Sequence, residues 1–224
     1  MATFVLVPGM CHGAWSFETL TGPLRRLGHR VHALTLTGVA ERAHLLTSTV
    51  NLDTHIEDVV GVLEAEDIED AVLVGHSYGG MVITGVADRL PRRVDSLVYL
   101  DALVPRDGDA LFDLIPAERD WHRTVGENGY AIPPLPFFDP RTTPHPLASA
   151  LQRIRLGGDL SRFRSRTYVY ATVSEWGGAS PFTALYERLR TDPQWTTHAL
   201  AGKHDLMRDV PEELLTILLE SAPA

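Results

Sequence analysis

The run Gly75-His76-Ser77-Tyr78-Gly79-Gly80 constrains this chain more than any other feature, because of what stands on either side of it. Residues 71–74 form a short unbroken apolar run, the pattern of a strand buried on both faces. Residues 81–90 are apolar nearly all round, as a helix packed against the middle of a sheet should be. A strand that turns directly into a helix lifts the central side chain above the sheet edge, and small flanking residues let the backbone pass closely there. The bare pattern G-x-S-x-G arises by chance in a chain of this length about one time in ten. Its place between strand and helix is what gives it weight over a glycine-rich helix start with a capping serine.

The same alternation recurs along the chain. Further strands are expected at residues 4–7, 31–36, 96–100, 166–173 and 196–200, about six in all. Helices are expected at 16–27, ended by Gly28; at 53–66, with Asp53 as N-cap and Ile56, Val59, Val60 and Leu63 on the inner face; and at 181–190 and 211–220. Such a series gives an α/β fold, a mostly parallel sheet with helices on both faces. At 224 residues the chain is expected to form one domain, 1–224. One stretch breaks the rhythm: residues 105–164 hold eight prolines and no core strand, with helical patterns only near 117–125 and 147–156. An insertion of that length reads as a lid over the C-terminal strand ends, where open α/β sheets bind ligands.

Charge and cysteine usage narrow the partners. A formal charge of −9 argues against nucleic acid and against an anionic membrane, both of which reward a basic face. No apolar run approaches the roughly 20 residues that span a bilayer. The first residues lack the pattern of a signal peptide, and the single cysteine, Cys11, cannot make an internal disulfide, so a reducing cytoplasm is the expected compartment. A small neutral or apolar molecule is the expected substrate.

Ser77 is a nucleophile only if a base takes its proton during attack, and histidine suits that task near neutral pH. For a serine raised on such a turn the histidine follows the last strand. His204, in Gly202-Lys203-His204-Asp205, stands there, whereas His198 lies within the strand. The tetrahedral intermediate needs donors aimed at its oxyanion. The backbone N–H of Tyr78 is one; the N–H of Met10, in the loop Pro8-Gly9-Met10-Cys11-His12-Gly13 after the first strand, is the expected second. Cys11 and His12 do not complete a metal site, and packing is the expected role of both; no metal is expected.

Val5-Leu6-Val7-Pro8-Gly9-Met10-Cys11-His12-Gly13-Ala14-Trp15, the serine turn, and Val98-Tyr99-Leu100-Asp101-Ala102-Leu103-Val104-Pro105 follow one another in an order that resembles the plant methylesterase and hydroxynitrile lyase family with its bacterial esterase relatives. The resemblance implies an α/β-hydrolase fold with a helical cap, and hydrolysis of a small carboxylic ester by a serine, a histidine and an acid, without a cofactor. The acid stays open. The family's position falls at Ser174, with Glu175 beside it, while Asp101 resembles the place where haloalkane dehalogenases carry theirs; adjacent strands bring both loops to one crevice. Pro8 replaces the family's usual histidine, which leaves a backbone donor unaffected. The family's lyases carry threonine where Gly9 stands and lysine where Asp205 stands, so cyanohydrin cleavage is not expected, and a lyase or a receptor-like binding module is the alternative to an esterase. Gly9, Trp121, Phe137, Phe138 and Trp176 are expected against the substrate, and Phe112 and Leu114 are further apolar candidates.

Overall fold

The computed structural model describes residues 1–115, 119–158, 160–176 and 178–223. Strands β1 (Thr3–Val7), β2 (Arg30–Ala33), β3 (Ala71–His76) and β4 (Val94–Leu100) precede the insertion. Within the insertion are β5 (Ala131–Ile132) and β6 (His145–Pro146); β7 (Ser165–Ala171) and β8 (Thr196–Leu200) follow it. Six of these form one parallel sheet in the order β2-β1-β3-β4-β7-β8. The expected strand at 31–36 is shorter, since beyond Ala33 the chain leaves the ladder and the Thr35 hydroxyl turns to the Ala14 N–H and the Glu41 carboxylate.

Alternation along the strands explains the two cores. Phe4, Leu6, Val72, Val74, Val98 and Leu100 face one side, under α1 (Glu18–Arg26) and, near the C-terminus, a last helix (Pro211–Glu220). Val5, Val7, Leu73, Leu97 and Tyr99 face the other, under α2 (Leu52–Ala65) and α3 (Gly79–Arg89). Gly28, with φ of 85°, ends the first helix as expected, because a side chain is disfavoured there. The cap of α2 is Asn51, not Asp53: Asn51 Oδ1 accepts the Thr54 N–H, the Thr54 hydroxyl returns to the Asn51 N–H, and Asp53 binds Gln152 instead.

The insertion packs on the α2–α3 face through Leu111, Ile115, Ile132, Ala150 and Ile154. It contains α4 (Leu111–Leu114), α5 (Arg119–Arg123), the antiparallel pair β5–β6, and α6 (Leu147–Leu151). Part of the helix expected at 117–125 lies outside the described residues, which resume at 119. The one expected at 147–156 stops after Leu151, because Ile154 pairs by its backbone N–H with Asp109 and by its carbonyl with Gly108. After β7 come α7 (Thr183–Leu189), β8, α8 (Leu206–Asp209) and the final helix α9 (Pro211–Glu220). Among the described residues no helix is long and apolar enough to cross a membrane.

Candidate active site

Ser77 sits on the turn between β3 and α3 with φ of 53°, a left-handed conformation that costs a residue with a side chain about 1–3 kcal/mol. The surrounding bonds hold it there: its N–H donates to Leu100 O (3.1 Å), and its carbonyl accepts from Gly80 and Leu103, each at 3.1 Å. Glycine is required on both sides of the turn. A Cβ on Gly75, before the serine, would stand 2.7 Å from Gly79 O; after it, one on Gly79 would stand 2.4 Å from Val7 O and one on Gly80 2.0 Å from Leu103 O.

His204 follows β8, with its ring buried between elements of the sheet and the later loops. Its Nδ1 lies 2.7 Å from Asp101 Oδ2. Asp101 ends β4 with φ of 42°; its other oxygen accepts the Ala171 N–H at 3.2 Å, and its own N–H donates to Val169 O at 2.7 Å. The carboxylate is therefore fixed from β7 while it holds the imidazole. Phe182 stacks on the His204 ring at 5.2 Å, and His76 Nε2 donates to His204 O at 3.0 Å, which ties the loop to β3. With Nδ1 turned to Asp101, Nε2 is the ring nitrogen on the opposite edge, and His204 and Ser77 form walls of one narrow slot.

Glu175, the other carboxylate open in the sequence, is placed differently: its Oε1 pairs with Lys203 Nζ at 3.2 Å. The carboxylate bonded to His204 Nδ1 is that of Asp101.

Met10 and Tyr78, the residues expected to offer backbone donors, flank Ser77 from two directions. Met10 lines the slot. Tyr78 begins α3, whose first turn carries no acidic residue, so the positive end of the helix dipole is uncompensated beside the serine. Gly9 also lines the slot, and a Cβ there would meet Ser77 Cβ at 2.9 Å and His76 Nδ1 at 3.0 Å.

Of the expected apolar contacts, Trp121, Phe138 and Trp176 line the slot with Ser77, whereas Phe137 lies in an adjoining outer cavity of about 220 Å³. The two spaces share His12, His76, Phe138 and His204 as walls. Phe112 and Leu114 are displaced from the slot by their neighbours Leu111 and Ile115, which, with Leu103, the sequence did not single out. Leu111 and Ile115 stand four residues apart and so share the inner face of a helical turn. The outer cavity is polar: Glu175, Lys203, Asp205, Arg208, Asp139 and Asp209 surround it. Asp205 adjoins His204, and burial pushes its carboxyl up to about 6 from the ordinary 3.8, against the lowering influence of His204 and Arg208. Burial holds His12 and His76 below the ordinary imidazole range, so both are neutral at pH 7. It also pushes the Cys11 thiol far up, away from the reactive thiolate.

A buried histidine bonded to a carboxylate, beside a serine raised on a strained strand-to-helix turn, is the arrangement of a serine hydrolase. Residues 4–220 match the alpha/beta hydrolase family, and the chain belongs to it. The carbendazim hydrolyzing esterase of Nocardioides sp. (strain SG-4G) is 40% identical, over 96% of this chain and 97% of its own. Salicylic acid-binding protein 2 of Nicotiana tabacum is 29% identical over 98% and 96% of the two chains. Among solved structures, an extracellular alpha/beta-hydrolase from a Paenibacillus species superposes with a TM-score of 0.83 at 22% identity, covering all of both chains, a likeness of fold.

Proposed function

We propose that Ser77, His204 and Asp101 act together to cleave a small carboxylic ester through an acyl-Ser77 intermediate. The chain is a carboxylic ester hydrolase, in keeping with its family and with the 40% identical esterase. His204 Nε2 takes the Ser77 proton as Oγ attacks the ester carbonyl; Asp101 holds the ring in the tautomer with Nδ1 protonated and stabilises the imidazolium. The oxyanion accepts hydrogen bonds from the Met10 and Tyr78 N–H groups. The imidazolium then gives its proton to the departing alkoxide, the acyl carbon–oxygen bond breaks, and water repeats the cycle against the acyl-enzyme. These steps need neither metal nor cofactor.

The acyl side fits a compact, flat group. Trp121, Phe138, Trp176, Leu111 and Ile115 around a narrow slot favour an aromatic acid part or an aryl carbamate, and the outer cavity takes the more polar end of the molecule. The segment 105–164 serves as lid of a single domain spanning 1–224. With a charge of −9 and a buried thiol, the protein works in the cytoplasm on small molecules and engages neither nucleic acid nor membrane. A carboxylate at Asp205, beside His204, disfavours departure of an anion such as cyanide into the outer cavity, and this favours hydrolysis over a lyase reaction.

The 2.7 Å bond between His204 and Asp101 beside Ser77 carries this reading. A panel of methyl benzoate, methyl phenylacetate, carbendazim, p-nitrophenyl acetate and long-chain p-nitrophenyl esters tests it. The expected result is highest kcat/KM on the small aromatic members and little turnover of long chains. A folded protein that hydrolyses none of them overturns the reading.

A further inference from the structure

We infer that His145, in the cap insertion, is a positioning residue for the oxyanion loop, so that the cap forms part of the apparatus that aims the Met10 N–H. The inference rests on the ester-hydrolase reading only for the use to which that N–H is put.

The loop between Gly9 and Gly13 is held almost bond by bond. His12 N–H donates to Gly9 O at 3.3 Å, which fixes the carbonyl side of the Gly9–Met10 peptide. In a trans peptide the N–H points opposite to the carbonyl, so this bond turns the Met10 N–H away from His12. The next peptide is gripped at both ends by imidazoles. His12 Nδ1 donates to Met10 O at 2.7 Å, and the Cys11 N–H donates to His145 Nδ1 at 3.2 Å. The cap reaches Cys11 a second time, since the Thr143 N–H donates to Cys11 O at 3.1 Å and the Thr143 hydroxyl accepts from Ala40 N–H at 2.6 Å. Cys11 has φ of 68°, a conformation that a residue with a side chain keeps only when its surroundings impose it.

The proton positions follow from the partners. Accepting the Cys11 N–H requires a bare Nδ1 on His145, so the ring proton is on Nε2 and is donated to Ser149 Oγ at 2.9 Å; that hydroxyl donates to Pro146 O at 2.8 Å. Both ring nitrogens of His145 and the Ser149 hydroxyl are thereby engaged. The ring has no exposed surface, and burial among His55, His122 and His12 holds it neutral. The second donor-bearing residue is braced against the same cluster: Tyr78 packs edge-on to His145 at 4.9 Å, and its hydroxyl donates to His55 Nδ1 at 2.8 Å, while His55 Nε2 donates to Thr37 O at 2.9 Å. Both sides of the oxyanion site thus lean on buried neutral histidines, one contributed by α2 and one by the cap.

His145→Ala, His145→Asn and the wild type are compared by p-nitrophenyl acetate kinetics, thermal melting and hydrogen–deuterium exchange of the peptide covering residues 9–13. An asparagine Oδ1 stands where Nδ1 stood and accepts the same N–H. The expected result for His145→Ala is a fall in kcat of about 10- to 100-fold with KM within about twofold, and faster exchange in the loop. His145→Asn should recover kcat to within about threefold of wild type and restore slow exchange. A purely structural histidine would instead lower the melting temperature of both variants and leave kcat of the folded fraction unchanged; that result, or an alanine variant within about twofold of wild type, overturns the inference. If the alanine variant does not fold, Ser149→Ala removes the partner that fixes the tautomer without emptying the ring's space. It should lower kcat severalfold and loosen the loop, with the melting temperature lowered somewhat by the unpaired Nε2–H, and wild-type kcat together with wild-type loop exchange overturns the inference. Wild-type protein inert toward esters would sink the functional reading alone, because loop exchange still reports whether His145 holds Cys11.

Discussion

Replacing Asp101 by asparagine changes one atom and should cost almost all of the activity. The carboxylate makes two bonds that both require an acceptor, to His204 Nδ1 at 2.7 Å and to Ala171 N–H at 3.2 Å. Asparagine has one acceptor. If its oxygen faces His204, its NH2 opposes the Ala171 N–H; if its oxygen faces Ala171, its NH2 opposes Nδ1–H and drives the ring proton to Nε2. The first arrangement places two donors against each other in a buried site, at about 1–3 kcal/mol. The second removes the lone pair that must take the Ser77 proton. The expected fall in kcat is about 10⁴-fold, roughly 5.5 kcal/mol of barrier, with KM little changed. Stopped-flow or long-time kinetics with p-nitrophenyl acetate measures it, with circular dichroism and thermal melts to show that the variant is folded. Glu175→Gln is the control: it breaks a partly exposed pair with Lys203 and should lose less than about tenfold. A loss below about tenfold in Asp101→Asn, or a larger loss in Glu175→Gln, refutes the reasoning.

Ser77→Ala and His204→Ala should each lower kcat by about 10⁶ without unfolding the protein, and more than a tenth of wild-type activity in either contradicts the assignment. Gly9→Ala places a methyl 2.9 Å from Ser77 Cβ and 3.0 Å from His76 Nδ1, so the serine must shift; a fall in kcat of about 100-fold is expected, read by the same kinetics. Asp205→Asn should stabilise the protein at pH 7.5 but not at pH 4. The folded carboxyl titrates at about 6 against 3.8 when free, so the folded state holds its proton more tightly, and the associated stability is present below the unfolded value and lost as pH rises through about 6. The penalty removed at neutral pH is up to about 3 kcal/mol, and melts of both proteins should separate progressively from about pH 4 and reach their full difference above about pH 6.

The fold was largely legible because the innermost strands β1 and β3 are buried on both faces and so appear as apolar runs, with Gly75, Gly79 and Gly80 marking a turn that admits no side chain. Ser77 and His204 were legible for the same reason: their positions are dictated by where strands end. The acid was not, because β4 and β7 are neighbours and deliver Asp101 and Glu175 to the same edge. The distinction lies in partners that no local pattern reports, the Ala171 N–H for one and Lys203 for the other. The slot was half legible. Aromatic residues marked Trp121, Phe138 and Trp176, but a four-residue helix is too short to show its period, and so Leu111 and Ile115 went unmarked while Phe112 and Leu114 were favoured. His145 and His55 gave no signal, since a histidine becomes a support only through the backbone groups that the folded chain brings to it.

The most direct measurement is of the covalent intermediate itself. The protein is mixed with p-nitrophenyl acetate, quenched in acid during the burst, digested, and sequenced by mass spectrometry. An acetyl group is expected on Ser77 in the wild type, and none in Ser77→Ala or His204→Ala. Full hydrolytic activity with acetyl on another residue, or with Ser77 unmodified in the presence of a kinetic burst, contradicts it.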